Sequence, residues 1–205
     1  MATHQGRKGQ ATRAHILDQA LDLSTELGLE GMSVGVLAKV VGMSKSGLYA
    51  HFDSKEALQV AVLDHAALLF VERVFKPAVT QPRGLLRVRA LFQEWMAWSA
   101  TAFPGGCPFV QAAQDMHARP GPVREAVGKH LRDVLDVIER TARTAVESGE
   151  FRQDLDLEQF AYEFWANIVS YQHYGHFLEL GHAPERARLA FEGLVQRAQI
   201  QEIRP

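Results

Sequence analysis

Apolar residues recur three and four positions apart along most of this chain, and strict alternation is nearly absent. That period belongs to helices with one buried stripe, not to strands. Ile16, Leu17, Ala20, Leu21, Ser24 and Leu27 predict a first helix over about 11–27. Gly28 follows as a natural left-handed stop. Val34, Leu37, Ala38 and Val41 predict a short helix over about 33–41, broken at Gly42. Ser44 supplies an N-cap for a third short helix, which carries the stretch GMSKSGLYAHF. Asp53, with Glu56 three residues later, predicts a capping-box start to a fourth helix. Leu58, Val62, Leu69 and Phe75 carry that helix to an end at Pro77.

The rest of the chain is helical too. VTQPRG reads as a linker, followed by a helix over about 84–101 that is rich in bulky side chains. FPGGCP is a break, and FVQAAQDMHA a short amphipathic piece. Pro122 suits the first turn of a long helix reaching about Ser148. Its seam is Val123, Val127, Leu131, Val134, Ile138, Ala142 and Ala145. Asp156 with Gln159 caps LEQFAYEFWANIVSYQHYGHFLEL, whose apolar residues surround most of the circumference and predict cover on both faces. Pro184 opens a last helix. The expected class is all-α.

Composition narrows the setting. The chain is 47% hydrophobic and 22% charged, as in ordinary globular proteins. No apolar run approaches the roughly 20 residues needed to span a bilayer, so no membrane partner is expected. MATHQGRKGQ lacks the apolar core of a secretory signal, and Cys107 has no second cysteine to pair with, which fits a cytoplasmic location. The net charge of −2 gives no general attraction for nucleic acid. Over residues 1–60, six basic side chains (Arg7, Lys8, Arg13, Lys39, Lys45, Lys55) meet six acids (Asp18, Asp22, Glu26, Glu30, Asp53, Glu56). Any contact with DNA must come from placed residues.

GMSKSGLYAHF is too poor in large apolar groups to be an ordinary packed helix. Gly42 and Gly47 have phosphate-loop spacing, but Leu48 and Tyr49 stand where Lys and Ser or Thr are required. A short helix, a glycine-containing turn and a second short helix describe a helix-turn-helix, whose second helix enters the major groove. Leu48 and Phe52 pin that helix inward, leaving Ser44, Lys45, Ser46, Gly47 and Tyr49 outside. Gly47 removes bulk where the backbone approaches DNA. Lys45 is a candidate for a guanine or adjacent phosphate contact. Ser33 and Lys55 each open a helix, where backbone N–H groups suit phosphate. Arg7 and Lys8, ahead of the first helix, are equally contacts or bystanders.

From about Thr12 to Leu58 the chain resembles the TetR family of one-component transcriptional regulators. The resemblance lies in ILDQALDLSTELGLEGMSV, LAKVVGMSKSGLYAHF and SKEAL. It implies an all-helical homodimer without a cofactor. The N-terminal three-helix domain (residues 1–54) binds a double-stranded, palindromic operator, and the Tyr49 hydroxyl rests on a phosphate. The C-terminal domain (55–205) takes a small-molecule effector and dimerises through the last two helices. The helix over about 54–76 connects the two. The implied function is a repressor released by a small apolar or aromatic effector. Two positions depart from the pattern: Gly35, where a better helix former is usual, and Val41, where a small Ala is usual. Gly-x-Ser-x-Gly, His-Glu-x-x-His and dinucleotide fingerprints are absent, so no enzyme is expected.

Phe92, Trp95, Met96, Trp98, Phe103, Phe109, Met116, Phe164, Trp165 and Tyr171 supply more bulk than a simple bundle needs. They are either core and dimer interface or, in part, the lining of an apolar cavity. Trp95, Trp98, Phe109, Met116 and Trp165 are the candidates for that lining. Cys107 is either a small buried hydrophobe or, at a helix start, a thiolate sensing oxidants or electrophiles, as some members of the resembled family do. His173 and His176 share a helical face, with Glu179 the one nearby acid. Interface histidines are the better reading, and no metal is expected.

Overall fold

Residues 4–200 are described here from a computed structural model, with side chains from Gly9 onward. The helices are α1 (His4–Gly31), α2 (Val34–Val40), α3 (Lys45–Tyr49), α4 (Lys55–Phe70), α5 (Lys76–Val79), α6 (Leu85–Thr101), α7 (Pro108–Met116), α8 (Pro122–Glu147), α9 (Leu157–Gln172) and α10 (Ala183–Ala198). π-helical turns at Val71–Phe75 and His173–Phe177 follow α4 and α9. Among the described residues the only β pairing is one isolated bridge, Phe151 to Gln199. The all-α class read from the sequence is what the fold shows.

Several boundaries differ from the sequence reading, each for a local reason. α1 begins by His4, well before residue 11. It does break at Gly28 (φ 75°, ψ 157°), but one more turn follows to Gly31. The cap of α4 is Ser54, whose Oγ accepts the Ala57 N–H at 3.0 Å, and not Asp53. Pro77 does not end the fourth helical run. The π-turn carries the Lys76 N–H back to the Val71 carbonyl, five residues earlier. Pro77 then falls in the first turn of α5, where a missing N–H is harmless. α9 likewise gives way to a π-turn at His173 and does not continue to Leu180. Within one chain Tyr162 stays 66% and Phe177 81% exposed, so this run is not covered all round.

The chain divides into two compact units. The first takes the residues up to Leu68 together with Phe103–His130. Its core holds Ile16, Leu17, Ala20 and Leu21 from α1, Leu37 and Ala38 from α2, Leu48 and Phe52, and Leu58 and Val62 from α4. Each large side chain buried there contributes about 1.5–3 kcal/mol. The later segment is fixed onto the same helices by close fits. The Asp115 carboxylate accepts the Leu29 N–H at 2.8 Å, capping the turn that restarts after Gly28. Gly105 donates its N–H to Thr25 Oγ1 at 3.2 Å. A Cβ at position 105 would stand 1.7 Å from the Thr25 carbonyl oxygen.

The second unit takes Leu69–Ala102 and the chain from Leu131 onward. Its core is aromatic. Phe92 stacks on Phe191 at 4.0 Å and meets Phe164 edge-on at 5.4 Å. Phe151 and Phe160 lie beside each other at 5.5 Å. Arg197–Glu163 and Arg89–Glu192 ion pairs tie α10 to α9 and α6. The hydrogen bond from Gln159, joined by Arg197, holds Glu163 below the ordinary carboxylate range, although burial pushes the other way.

Candidate nucleic-acid interface

α3 is a single short helix with two unlike sides. Ser44 caps it, its Oγ accepting the Gly47 N–H at 3.0 Å and lying 3.0 Å from Ser46 Oγ. Helical bonds continue past Tyr49, the Phe52 N–H reaching the Leu48 carbonyl at 3.1 Å. Leu48 is 2% and Phe52 5% exposed, while Tyr49 is 49% exposed. Ser44, Lys45 and Ser46 are exposed and Gly47 partly so. The sidedness follows from the spacing: Leu48 and Phe52 are four apart, and the small polar residues occupy the remaining arc.

α2 contributes the neighbouring edge. Ser33 caps it, accepting the Val36 N–H at 3.2 Å. Lys45 lies over this helix, since a Cβ on Gly35 would be 3.2 Å from its Cε and 3.5 Å from its Nζ. The sequence marks Gly35 as a weak helix residue; the structure shows that the space it leaves belongs to Lys45. Lys55 opens α4 but is engaged on its own chain. Its Nζ donates to the Glu30 carbonyl at 2.9 Å and lies 3.5 Å from the Glu30 carboxylate. Arg119 approaches the same carboxylate at 3.4 Å. Glu30, Lys55, Gln59, Met116, Arg119 and Arg124 line a cavity of about 440 Å³ there. Sequence reasoning missed this cluster because Arg119 and Arg124 lie in a distant segment. It also missed Arg13, whose guanidinium sits 4.9 Å over the Phe52 ring. Arg7 and Lys8 precede the residues whose side chains are described.

The nominated effector residues separate. Phe109 and Met116, both buried, belong to the first unit; Trp95, Trp98 and Trp165 belong to the second. Trp95 and Trp165 lie 5.7 Å apart, and Phe70 meets Trp95 at 4.8 Å and Trp98 at 5.7 Å, both edge-on. Another opening of about 450 Å³ lies between α9 and α10, lined by Asn167, Tyr171, Tyr174, His182, Arg186 and Ala190 among others. Burial pushes the Tyr171 hydroxyl above its ordinary pKa, with Arg188 pulling the other way. Cys107 is fully buried at the start of α7, out of reach of an oxidant in this conformation. The His173 ring contacts the Val169 carbonyl at 2.8 Å, and His176 Nε2 the Ser99 carbonyl at 2.6 Å. Among the described residues no His, Cys, Asp or Glu cluster is placed to hold a metal, and no helix is long and apolar enough to cross a membrane.

Residues 16–62 match the family described as bacterial regulatory proteins, tetR family. Residues 84–191, more than half of the chain, match the tetracyclin repressor-like C-terminal domain. The chain belongs to the TetR family. It is therefore a DNA-binding transcriptional regulator of the helix-turn-helix kind. The AcrR regulator of Shigella flexneri is 40% identical over 58 residues, a stretch covering 28% of this chain and 27% of AcrR. A TetR regulator from Chloroflexus aurantiacus superposes with a TM-score of 0.84 at 24% identity, covering 95% of this chain and 100% of that one. AibR, solved with isovaleryl coenzyme A and operator DNA, superposes at 0.69 and 24% identity over 92% of this chain and 98% of AibR. At such identities these two likenesses speak for the TetR fold alone.

Proposed function

We propose that this TetR-family protein is a cytoplasmic repressor that binds a palindromic operator as a homodimer and is released by a small apolar or aromatic effector. The division of α3 into a buried Leu48–Phe52 side and an exposed Ser44–Lys45–Ser46–Tyr49 side carries the reading. Lys45, Ser46 and Gly47 meet base edges or the adjacent backbone. Ser33, Ser44, Tyr49 and Lys55 hold phosphates. For Lys55 this means exchanging part of its Glu30 pairing for a phosphate oxygen. The operator-reading part lies in residues 1–54, and the fourth helix links it to the effector-binding and dimerising remainder. AibR is a precedent within the fold for one protein holding both an organic ligand and an operator.

Dimerisation through the last two helices is supported by apolar side chains left open on them. Tyr162 on α9 and Leu189 on α10 are 66% and 57% exposed. Two copies of α3 then enter successive major grooves about 34 Å apart. An effector shifts the population from DNA only through its differential affinity for the two states, and a coupling of about 1–3 kcal/mol is ordinary.

Selection of bound fragments from the native genome, with and without metabolite pools, tests this. The expected result is an inverted repeat recovered by a dimer and lost with at least one pool. Absence of preference for any duplex at low ionic strength, or a strictly monomeric particle, overturns it.

A further inference from the structure

We infer that the core of the second unit contains a recognition point for a neutral aromatic carbonyl compound, formed by the Trp95 indole N–H and the Ser99 hydroxyl. This rests on the effector-responsive reading above and names the chemistry of the effector. Both residues are completely buried (0% exposed) on α6, one helical turn apart and so on one face. Neither Trp95 Nε1 nor Ser99 Oγ has a hydrogen-bond partner. Leaving a buried polar group unmatched is costly, and folded proteins avoid it at roughly nine in ten such groups.

The usual escape for a helical hydroxyl is the carbonyl one turn back. Thr101, two residues further along α6, takes it, donating to the Ala97 carbonyl at 2.9 Å. Ser99 does not. The surroundings are aromatic: Phe70 at 4.8 Å, Trp165 at 5.7 Å and Phe164 at 6.0 Å from the Trp95 ring. Phe70 leads directly into the first π-turn, and His176, which holds the Ser99 carbonyl at 2.6 Å, lies in the second. Both irregular turns of the fold therefore border the same stretch of α6. π-turns of this kind often accompany functional sites.

The donor set selects the ligand. An indole N–H only donates, and a hydroxyl can donate beside it, so the complementary group is an oxygen acceptor. The side chains named here include no Lys or Arg, which disfavours burying a carboxylate. A ketone, aldehyde or ester oxygen fits, and the rings accept an aromatic body by offset or edge contacts.

The test uses the full-length protein and its three tryptophans, whose indole N–H resonances are assigned with W95F, W98F and W165F. Acetophenone and 2-acetylnaphthalene are titrated beside their hydrocarbon isosteres α-methylstyrene and 2-isopropenylnaphthalene. The expected result is a shift of the Trp95 N–H by at least one ketone. Ketone affinity should fall about tenfold in Ser99→Ala, with hydrocarbon affinity unchanged. Unliganded Ser99→Ala should melt no lower than the native protein, because the lost hydroxyl had no partner. Four outcomes overturn the inference: no ketone moves Trp95; ketone and isostere bind equally; Ser99→Ala melts lower; or Trp95 N–H keeps a long-lived water contact at saturating ketone. Operator binding is measured on the same samples. A protein that selects its operator while Trp95 stays unmoved loses this recognition point and keeps the regulatory reading.

Discussion

Lys45 lies across the α2 backbone at Gly35, close enough that an added Cβ would stand 3.2 Å from its Cε. The glycine thus sets where the Lys45 ammonium of α3 rests. Gly35→Ala should raise helix stability by up to about 1 kcal/mol. It should also push Lys45 off its seat and change operator affinity or base preference. Thermal melting and a competition assay across operator variants, run together, check both. A variant that melts higher and reads DNA identically would detach Gly35 from recognition.

Lys55 and Glu30 offer a paired test. Lys55→Ala should weaken binding to all duplexes alike and flatten the salt dependence by about one unit of slope. Glu30→Gln removes the carboxylate 3.5 Å from Nζ and should strengthen binding. Equal slopes for Lys55→Ala and the native protein would take Lys55 off the phosphate backbone.

Contacts around α7 should contribute measurably to the stability of the first unit. Asp115→Ala leaves the Leu29 N–H without its carboxylate and should cost about 1–2 kcal/mol. Gly105→Ala forces a Cβ into the Thr25 carbonyl, and a loss of about 2 kcal/mol or more is expected. Urea unfolding of each variant measures both.

Glu163 predicts a pH dependence. Its folded pKa lies below the unfolded value, so its contribution is present above the ordinary carboxylate range and disappears as pH falls through the lowered pKa. Glu163→Gln should therefore cost about 0.5 kcal/mol at neutral pH, as for a partly exposed pair. The two proteins should converge in acid. Denaturation at both pH values reveals the difference.

Cys107 gives a negative expectation. A fully buried thiol at this position should react slowly with Ellman's reagent until the protein unfolds. Cys107→Ser should leave the response of DNA binding to oxidant unchanged; a lost response would assign the cysteine a sensing role.

What the sequence disclosed was what depends on near neighbours along it. The α3 faces were legible because Leu48 and Phe52 are one turn apart, and the caps Ser44 and Asp156 because each acts within three residues. The π-turns were not, since a carbonyl paired five residues on leaves the apolar period almost unaltered. Nor was the tie between Asp115 and Leu29, nor the seating of Lys45 over Gly35, which depend on tertiary approach. Capping position proved a finer matter: Ser54 and Asp53 are both good caps by composition, and only geometry chose Ser54.

Because Phe103–His130 belongs with the N-terminal helices, the polypeptide visits the first unit, leaves it, returns and leaves again. A single recombination point therefore cannot exchange one half of the protein for that of a relative. A chimera joined after Leu68 would keep a foreign 103–130 segment against Thr25 and Leu29, where the Gly105 backbone and the Asp115 carboxylate must match. Replacing the second unit while keeping the first requires more than one crossover, or one crossover and a rebuilt seam.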